Sequence, residues 1–410
     1  MMKNLFTFFF ILISINILAA IRFVDPNLSS GNGTTHFNSV ASAVAASQDG
    51  DEIVLTAGTY NENTLAISTS IKLYPQNVGD VVTFNFDINI SGKTGLSIEL
   101  FDLNFDNLST TNSSSSWSSN RPRVYLVECI VSNTIDCSNH YWDLYCFQSS
   151  AAIINFVSGA IVKCTSTNLN LYQDNVNQDG RNKIIANTIS GRTFINNTNR
   201  LLLLANNSIY QLFYKGWRTH DSNDFNLSNL IVNNNFVSGG LFDIASDGVS
   251  YHNTKVCNNS NSGTINFRSG LNASYYDGYC HANSDNYGTN NYCSSSFNWS
   301  TTSIAMGGGD GFFEWSYNTF NPTNFPTGSS GYVMEFVQGT SGSDTGNPSH
   351  FFYDIDMTRN DVGTGGGPYS TSNYPTSSGS AKAYIYYLDM PTDLFPNDNI
   401  QINAEGYHKN

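Results

Sequence analysis

With 410 residues, the chain is long enough for two or three ordinary domains or for one elongated repeat domain. Hydrophobic residues make up 40% but charged residues only 12%, so polarity comes from Asn, Ser, Thr and Gly, which suit tight turns and disfavour long exposed helices. A net charge of −14 speaks against nucleic acid, anionic membrane surfaces and, without Ca²⁺, acidic polysaccharides; it leaves neutral polysaccharide or a surface protein as partners.

Residues 1–20 have the form of a secretory signal peptide. Lys3 is followed by the almost wholly apolar run Leu5 to Leu18, and Ala19-Ala20 supplies small residues for cleavage. The run is shorter than a membrane span, and no later segment is apolar enough to be one. The mature chain is therefore expected outside the cytoplasm, secreted or at the cell surface. Next, Phe37, Val40, Ala41 and Val44 recur at helical spacing, with Thr35 as a candidate N-cap and Gln48-Asp49-Gly50 as the stop. Asp51 to Leu55 predicts a strand, Gly58-Thr59 a turn, and Ile71 to Gln76 another strand.

Four pieces of this stretch fall into a recognisable order: GNGT at Gly31 to Thr34, the small-residue helix Val40 to Ala46, GDEIVL at Gly50 to Leu55, and AGTYNEN at Ala57 to Asn63. Together they resemble the N-terminal cap and first turns of the pectin-lyase-like right-handed parallel β-helix superfamily. The resemblance implies an all-β solenoid whose short N-terminal helix covers an otherwise open sheet end. It implies nothing about catalysis, because enzymes, adhesins and phage tailspikes share that fold.

The middle of the chain repeats as a solenoid should. KIIANTISG, LLLLANNSIYQ, LIVNNNFVSG and KVCNNSNSG each carry an apolar strand, then Asn, then a second strand or turn. Taking Asn187, Asn207, Asn235 and Asn259 as equivalent gives spacings of 20, 28 and 24 residues, and stacked Asn side chains at a bend can hydrogen-bond one another. At about 24 residues per turn and about 4.8 Å per strand, such a solenoid has roughly 13 turns. Seven cysteines (Cys129, Cys137, Cys146, Cys164, Cys257, Cys280, Cys293) are an odd number and contain no C-x-x-C pair. They fit small residues of a stacked core, with disulfides as the alternative; Cys257 and Cys280, one turn apart, could stack.

Toward the end, Gly346 to Tyr369 resembles a closing segment of many secreted bacterial β-helix proteins, D-x-D-G-T/S-R-N-D-x-G before G-G-P. The match runs through Asp354, Asp356, Thr358, Arg359, Asn360, Asp361, Gly363 and Gly366-Gly367-Pro368, with Met357 where the pattern has Gly. Asp354 and Asp356 admit a Ca²⁺ site as an alternative, but the loop Gly and closing Glu of an EF-hand are missing, so no metal or other cofactor is expected. The β-helix is placed at residues 21–368. A connector and a small C-terminal β extension, with strands at Ala383 to Leu388 and Asn399 to Ala404, fill 369–410.

Spacings for G-x-S-x-G, H-E-x-x-H, P-loop and zinc-finger sites are absent, and so are the ligand and acid sets of β-helix lyases and hydrolases. Arg121-Pro122-Arg123 is too short for the R-x-P-x-R of pectate lyases. Against this charge-poor background one segment stands out, KGWRTHDSND at Lys215 to Asp224. Trp217, Arg218 and His220 form a candidate glycan-binding set, with the Trp face as a sugar platform. Lys215, Arg218, His220 and Asp221 are the candidate catalytic set, and Asp243, Asp247 and His252 follow about one turn later. The expectation is a non-catalytic binding or adhesion module for glycan or protein; the alternative is a polysaccharide lyase or glycoside hydrolase.

Overall fold

The computed structural model describes residues 19–111, 120–139, 141–172, 182–196 and 202–216, then 226–228, 230–233, 235–246, 250–257, 260–261, 264–269, 276–281, 284–285, 293–295, 313–316, 334–335, 367–370, 374, 383–389 and 403–408. Among these the fold is almost wholly β, with two large parallel sheets, one short helix and one antiparallel strand pair. A first sheet takes Ile21–Val24, Asp51–Leu55, Ile71–Pro75, Ser97–Phe101, Arg123–Val127, Asp143–Phe147, Gly159–Val162, Asn182–Ile185, Leu202–Ala205 and Leu230–Asn233 in chain order. From Asp51–Leu55 onward, the chain contributes strands to a second sheet after each of these, among them Ser150–Phe156, Thr165–Leu171, Thr188–Asn196, Ser208–Gly216 and Phe236–Ser246. Two parallel sheets fed alternately by one chain are compatible with a parallel β-helix.

Register shows why the sequence pattern looked irregular. Ile53, Leu73, Leu100, Leu126, Cys146, Ile161, Ile184 and Leu204 occupy one column, and each is essentially inaccessible to solvent. The steps along it run from 15 residues, Cys146 to Ile161, to 27, Leu73 to Leu100. Strands stay fixed while connections vary. Burying each Leu or Ile of such a column contributes about 1.5–3 kcal/mol.

Six consecutive bends from first to second sheet share one conformation. Asp102, Glu128, Gln148, Lys163, Ala186 and Asn206 all have φ between 49° and 58°, the left-handed region. The first five donate their N–H to the end of the next turn's strand, as Lys163 does to Ile185 O and Ala186 to Ala205 O. The following residue turns inward and carries the ladder. Asn187 Nδ2 donates to Asn207 Oδ1 at 2.9 Å, and Asn207 Nδ2 to Asn235 Oδ1 at 2.9 Å. The same amides donate to Ile161 O and Ile184 O one turn back, and Asn235 Nδ2 reaches Leu204 O. The expected ladder is present at three positions, and the spacings 20, 28 and 24 are those of the register itself. Asn259 lies outside the described residues.

Some local expectations need correction. The helix is Val40–Ala45, buried through Val40, Ala43 and Val44, and its N-cap is Ser39, whose Oγ accepts from Ser42 N, not Thr35. Glu62 supports the same end, accepting from Val40 N and Ala41 N at 2.7 and 2.9 Å. Phe37 belongs to the short strand His36–Phe37, and Gly58-Thr59 opens the strand Gly58–Tyr60 rather than a turn. The strand Asn403–His408 pairs antiparallel with Ala383–Asp389 and overlaps the expected strand at Asn403 and Ala404; residues 399–402 lie outside the described residues. Cys129, Cys137, Cys146 and Cys164 are buried thiols, as the core reading expected. Cys257 aligns with His281 and Cys280 with Val256, so those two lie one residue out of step.

The outer face of the first sheet is apolar too. Phe101, Val127, Phe147, Val162, Ile185 and Ala205 form a strip, and Tyr374 from the C-terminal connector is buried within the same cluster, with Tyr369 against it. At the N-terminal end, the buried Asp51 carboxylate takes Arg22 Nη2 at 2.8 Å, Ala20 N at 2.7 Å and Gln48 N at 2.9 Å. No helix among the described residues is long and apolar enough to cross a membrane.

Candidate functional site

Trp217, Arg218, His220, Asp221, Asp224 and Asp247 lie outside the described residues, as do Asp354, Asp356, Arg359 and Asp361. Three members of the expected cluster can be placed by register. Lys215 lies near the end of the strand Ser208–Gly216, aligned with Asn196 on one side and Ala245 on the other. Asp243 aligns with Phe213, two residues before Lys215, so Lys215 and Asp243 stand on neighbouring strands of the second sheet. His252 belongs to Ser250–Cys257 of the first sheet, aligned with Ser228.

Beside Lys215, the structure reveals residues that motif reasoning passed over. The strand Thr188–Asn196 carries one more residue, at Ser190-Gly191, than the strand on either side, because Ile189 and Thr193 span Ser166 to Leu169 while Ile189 and Arg192 span Ile209 to Gln211. This is a β-bulge, a device that re-aims the side chains around it. Gly191 makes it possible: a Cβ there would come within 2.6 Å of Thr167 O. Arg192 N is fastened to Asn168 Oδ1 at 3.0 Å. Its exposed guanidinium carbon sits 4.7 Å from the Phe194 ring centroid and 4.4 Å from that of Phe213.

Two aligned phenyl rings thus hold a surface guanidinium on one turn against the next. The quadrupole of each ring attracts the cation, worth about 0.5–1 kcal/mol at an exposed site. No carboxylate among the described residues pairs with it. An arginine held this way keeps its planar N–H edge for bidentate hydrogen bonds to paired hydroxyls or a carboxylate. The signal was present in the sequence as GRTF, with one Gly breaking an alternating strand, but Arg192 and Phe213 are 21 residues apart and meet only through the register.

Elsewhere, charged residues are committed to structure. Arg121 donates Nε to Tyr141 O at 3.2 Å and faces Asp143 at 3.5 Å, so Arg121-Pro122-Arg123 takes part in internal bracing. Tyr125 and Tyr145 stack at 4.8 Å, each ring covering a face of the other. Burial lifts the Tyr60 hydroxyl to about 12, and it stays a hydrogen-bond donor to Val24 O. No set of three or more His, Cys, Asp or Glu able to hold a metal occurs among the described residues. No protein-family model matches the chain, and no curated protein is similar enough to count as a relative.

Proposed function

We propose that the chain is an exported right-handed parallel β-helix of the pectin-lyase-like kind, working outside the cytoplasm as a non-catalytic module that binds neutral polysaccharide or a surface protein. The two alternating parallel sheets, the buried Asn ladder and the short helix packed at the N-terminal end support the fold part of this reading, the helix acting as end cover. The observation that carries the binding part is the exposed Arg192 platform on Phe194 and Phe213. In sequence, Trp217, Arg218 and His220 follow the strand Ser208–Gly216 that carries Phe213 and Lys215. Sugar rings expose apolar C–H faces and hydroxyl edges, which aromatic rings and a held guanidinium recognise together.

The test is a glycan-array screen of the chain from residue 21 onward, paired with a polysaccharide-depolymerisation assay. Binding without product release is expected, and Arg192→Ala or Trp217→Ala should weaken it about tenfold, or about 1.4 kcal/mol, with little loss of thermal stability. Absence of any glycan or surface-protein ligand would overturn the reading. Release of oligosaccharide would instead favour the lyase or hydrolase alternative, in which Lys215, Arg218, His220 and Asp221 act.

A further inference from the structure

The thiols of Cys146 and Cys164 occupy two different columns of the fold that meet at one bend. Cys146 stands in the inward column that elsewhere holds Leu100, Leu126, Ile161, Ile184 and Leu204. Cys164 stands at the ladder position, where Asn187 and Asn207 stand in later turns. In those turns the ladder amide donates to the carbonyl of the inward residue one turn back, Asn187 to Ile161 O and Asn207 to Ile184 O. Cys164 Sγ makes the equivalent bond to Cys146 O at 3.2 Å. Because the inward residue here is itself a cysteine, the two sulfurs lie 3.5 Å apart, both fully buried.

We infer that Cys146 and Cys164 are an oxidisable pair that closes into a disulfide joining adjacent turns of the solenoid. The co-reactant is a low-molecular-weight or protein disulfide. One cysteine thiolate attacks it, releasing a thiolate and leaving a mixed disulfide; the second cysteine attacks that sulfur and releases the other thiolate. Two thiols lose two protons and two electrons, and one external disulfide becomes two thiols. The sulfurs close from 3.5 Å to the roughly 2 Å of an S–S bond, a shift within reach of side-chain rotation and slight strand adjustment. Both thiols are buried in the folded chain, and the contact with Cys164, followed by burial, holds the Cys146 thiol well above its ordinary value, so an external disulfide does not reach the pair once the turns have stacked. The bond therefore forms while the turns are stacking.

The test refolds the full chain from denaturant, once with oxidised and reduced glutathione and once with a phosphine reductant alone. Peptide mapping without reduction should show one Cys146–Cys164 link, a mass lower by two hydrogens, and five titratable thiols in denaturant where the reduced chain shows seven. The linked form should melt about 3–6 °C higher, since the cross-link restricts the unfolded chain. Cys164→Asn, which installs the ladder residue of the following turns, should fold, show no link and melt alike in both buffers. Seven free thiols after refolding in the glutathione buffer, or a link between other cysteines, would overturn the inference. None of these outcomes depends on whether the chain binds glycan.

Discussion

Asn207 shows how much one polar side chain can hold inside an apolar stack. Its Oδ1 accepts from the backbone N–H and the side-chain amide of Asn187, and its own amide donates to Ile184 O. Removing it strands buried donors and an acceptor that water cannot reach, at about 1–3 kcal/mol for each group left unpaired. Asn207→Ala should therefore cost about 3–5 kcal/mol in urea unfolding, and a loss under 1 kcal/mol would show that the ladder is ornamental. The ladder was legible in the sequence because Asn recurs beside apolar strands. The αL residue before it was not, since Asp, Glu, Gln, Lys, Ala and Asn share no chemistry that marks a left-handed bend.

Asp51 makes an acid-dependent contribution of known sign. Burial alone would raise its pKa, but hydrogen bonds from Gln48 N and Ala20 N and the Arg22 ion pair outweigh it, so the folded value lies below the ordinary one. A depressed carboxylate stabilises the fold fully above its unfolded value, about 3.9, and that contribution disappears as pH falls through the folded value. Urea midpoints measured from pH 6 down to pH 2 should fall in the acid range. Asp51→Asn should lower the midpoint at pH 6 and reduce the acid-range slope; an unchanged slope would assign the acid sensitivity to other carboxylates.

At the scale of elements, glycine sets what the strands can do. Gly159 opens the shortest step of the inward column, with φ at +126°, and a Cβ there would lie 1.9 Å from Leu144 O. That approach is closed to every other residue, so Gly159→Ala should cost more than about 3 kcal/mol, seen as a lower melting temperature or loss of soluble protein. Gly191 is a milder case, with Thr167 O at 2.6 Å from the added Cβ, so a side chain there must displace the neighbouring backbone. Strand existence was readable from alternation, but phase and boundary were not. The helix buries Ala43 instead of Ala41 because its axis is set by Ser39 and by Glu62, which lies 22 residues from Val40. Likewise NAEGYH carries no phase of its own, and pairing with Ala383–Asp389 sets the register of Asn403–His408.

Across the whole molecule, a stack of parallel strands has two faces, and the first sheet is apolar on both. Inward residues make the main core, while Phe101, Val127, Phe147, Val162, Ile185 and Ala205 would expose a contiguous apolar strip if nothing lay on it. From the segment expected to be a connector, Tyr374 lies within the strip and Tyr369 against it. Gly367 takes φ +74°, Ser370 is buried, and Tyr374 is 7% exposed within the strip. Composition hid this role, because a run of Ser, Gly and Tyr looks like a linker until its tyrosines are placed against a distant sheet. A segment that lies back on an apolar sheet face protects a surface that would otherwise recruit a second molecule. Tyr374→Ser, which keeps the hydroxyl function but removes the ring, should lower stability by about 2–4 kcal/mol and raise binding of an apolar fluorescent dye. It should also increase self-association in sedimentation, reversed by mild denaturant. If dye binding and sedimentation match the wild type, the strip is closed by the rest of the chain and Tyr374 only rests on its edge.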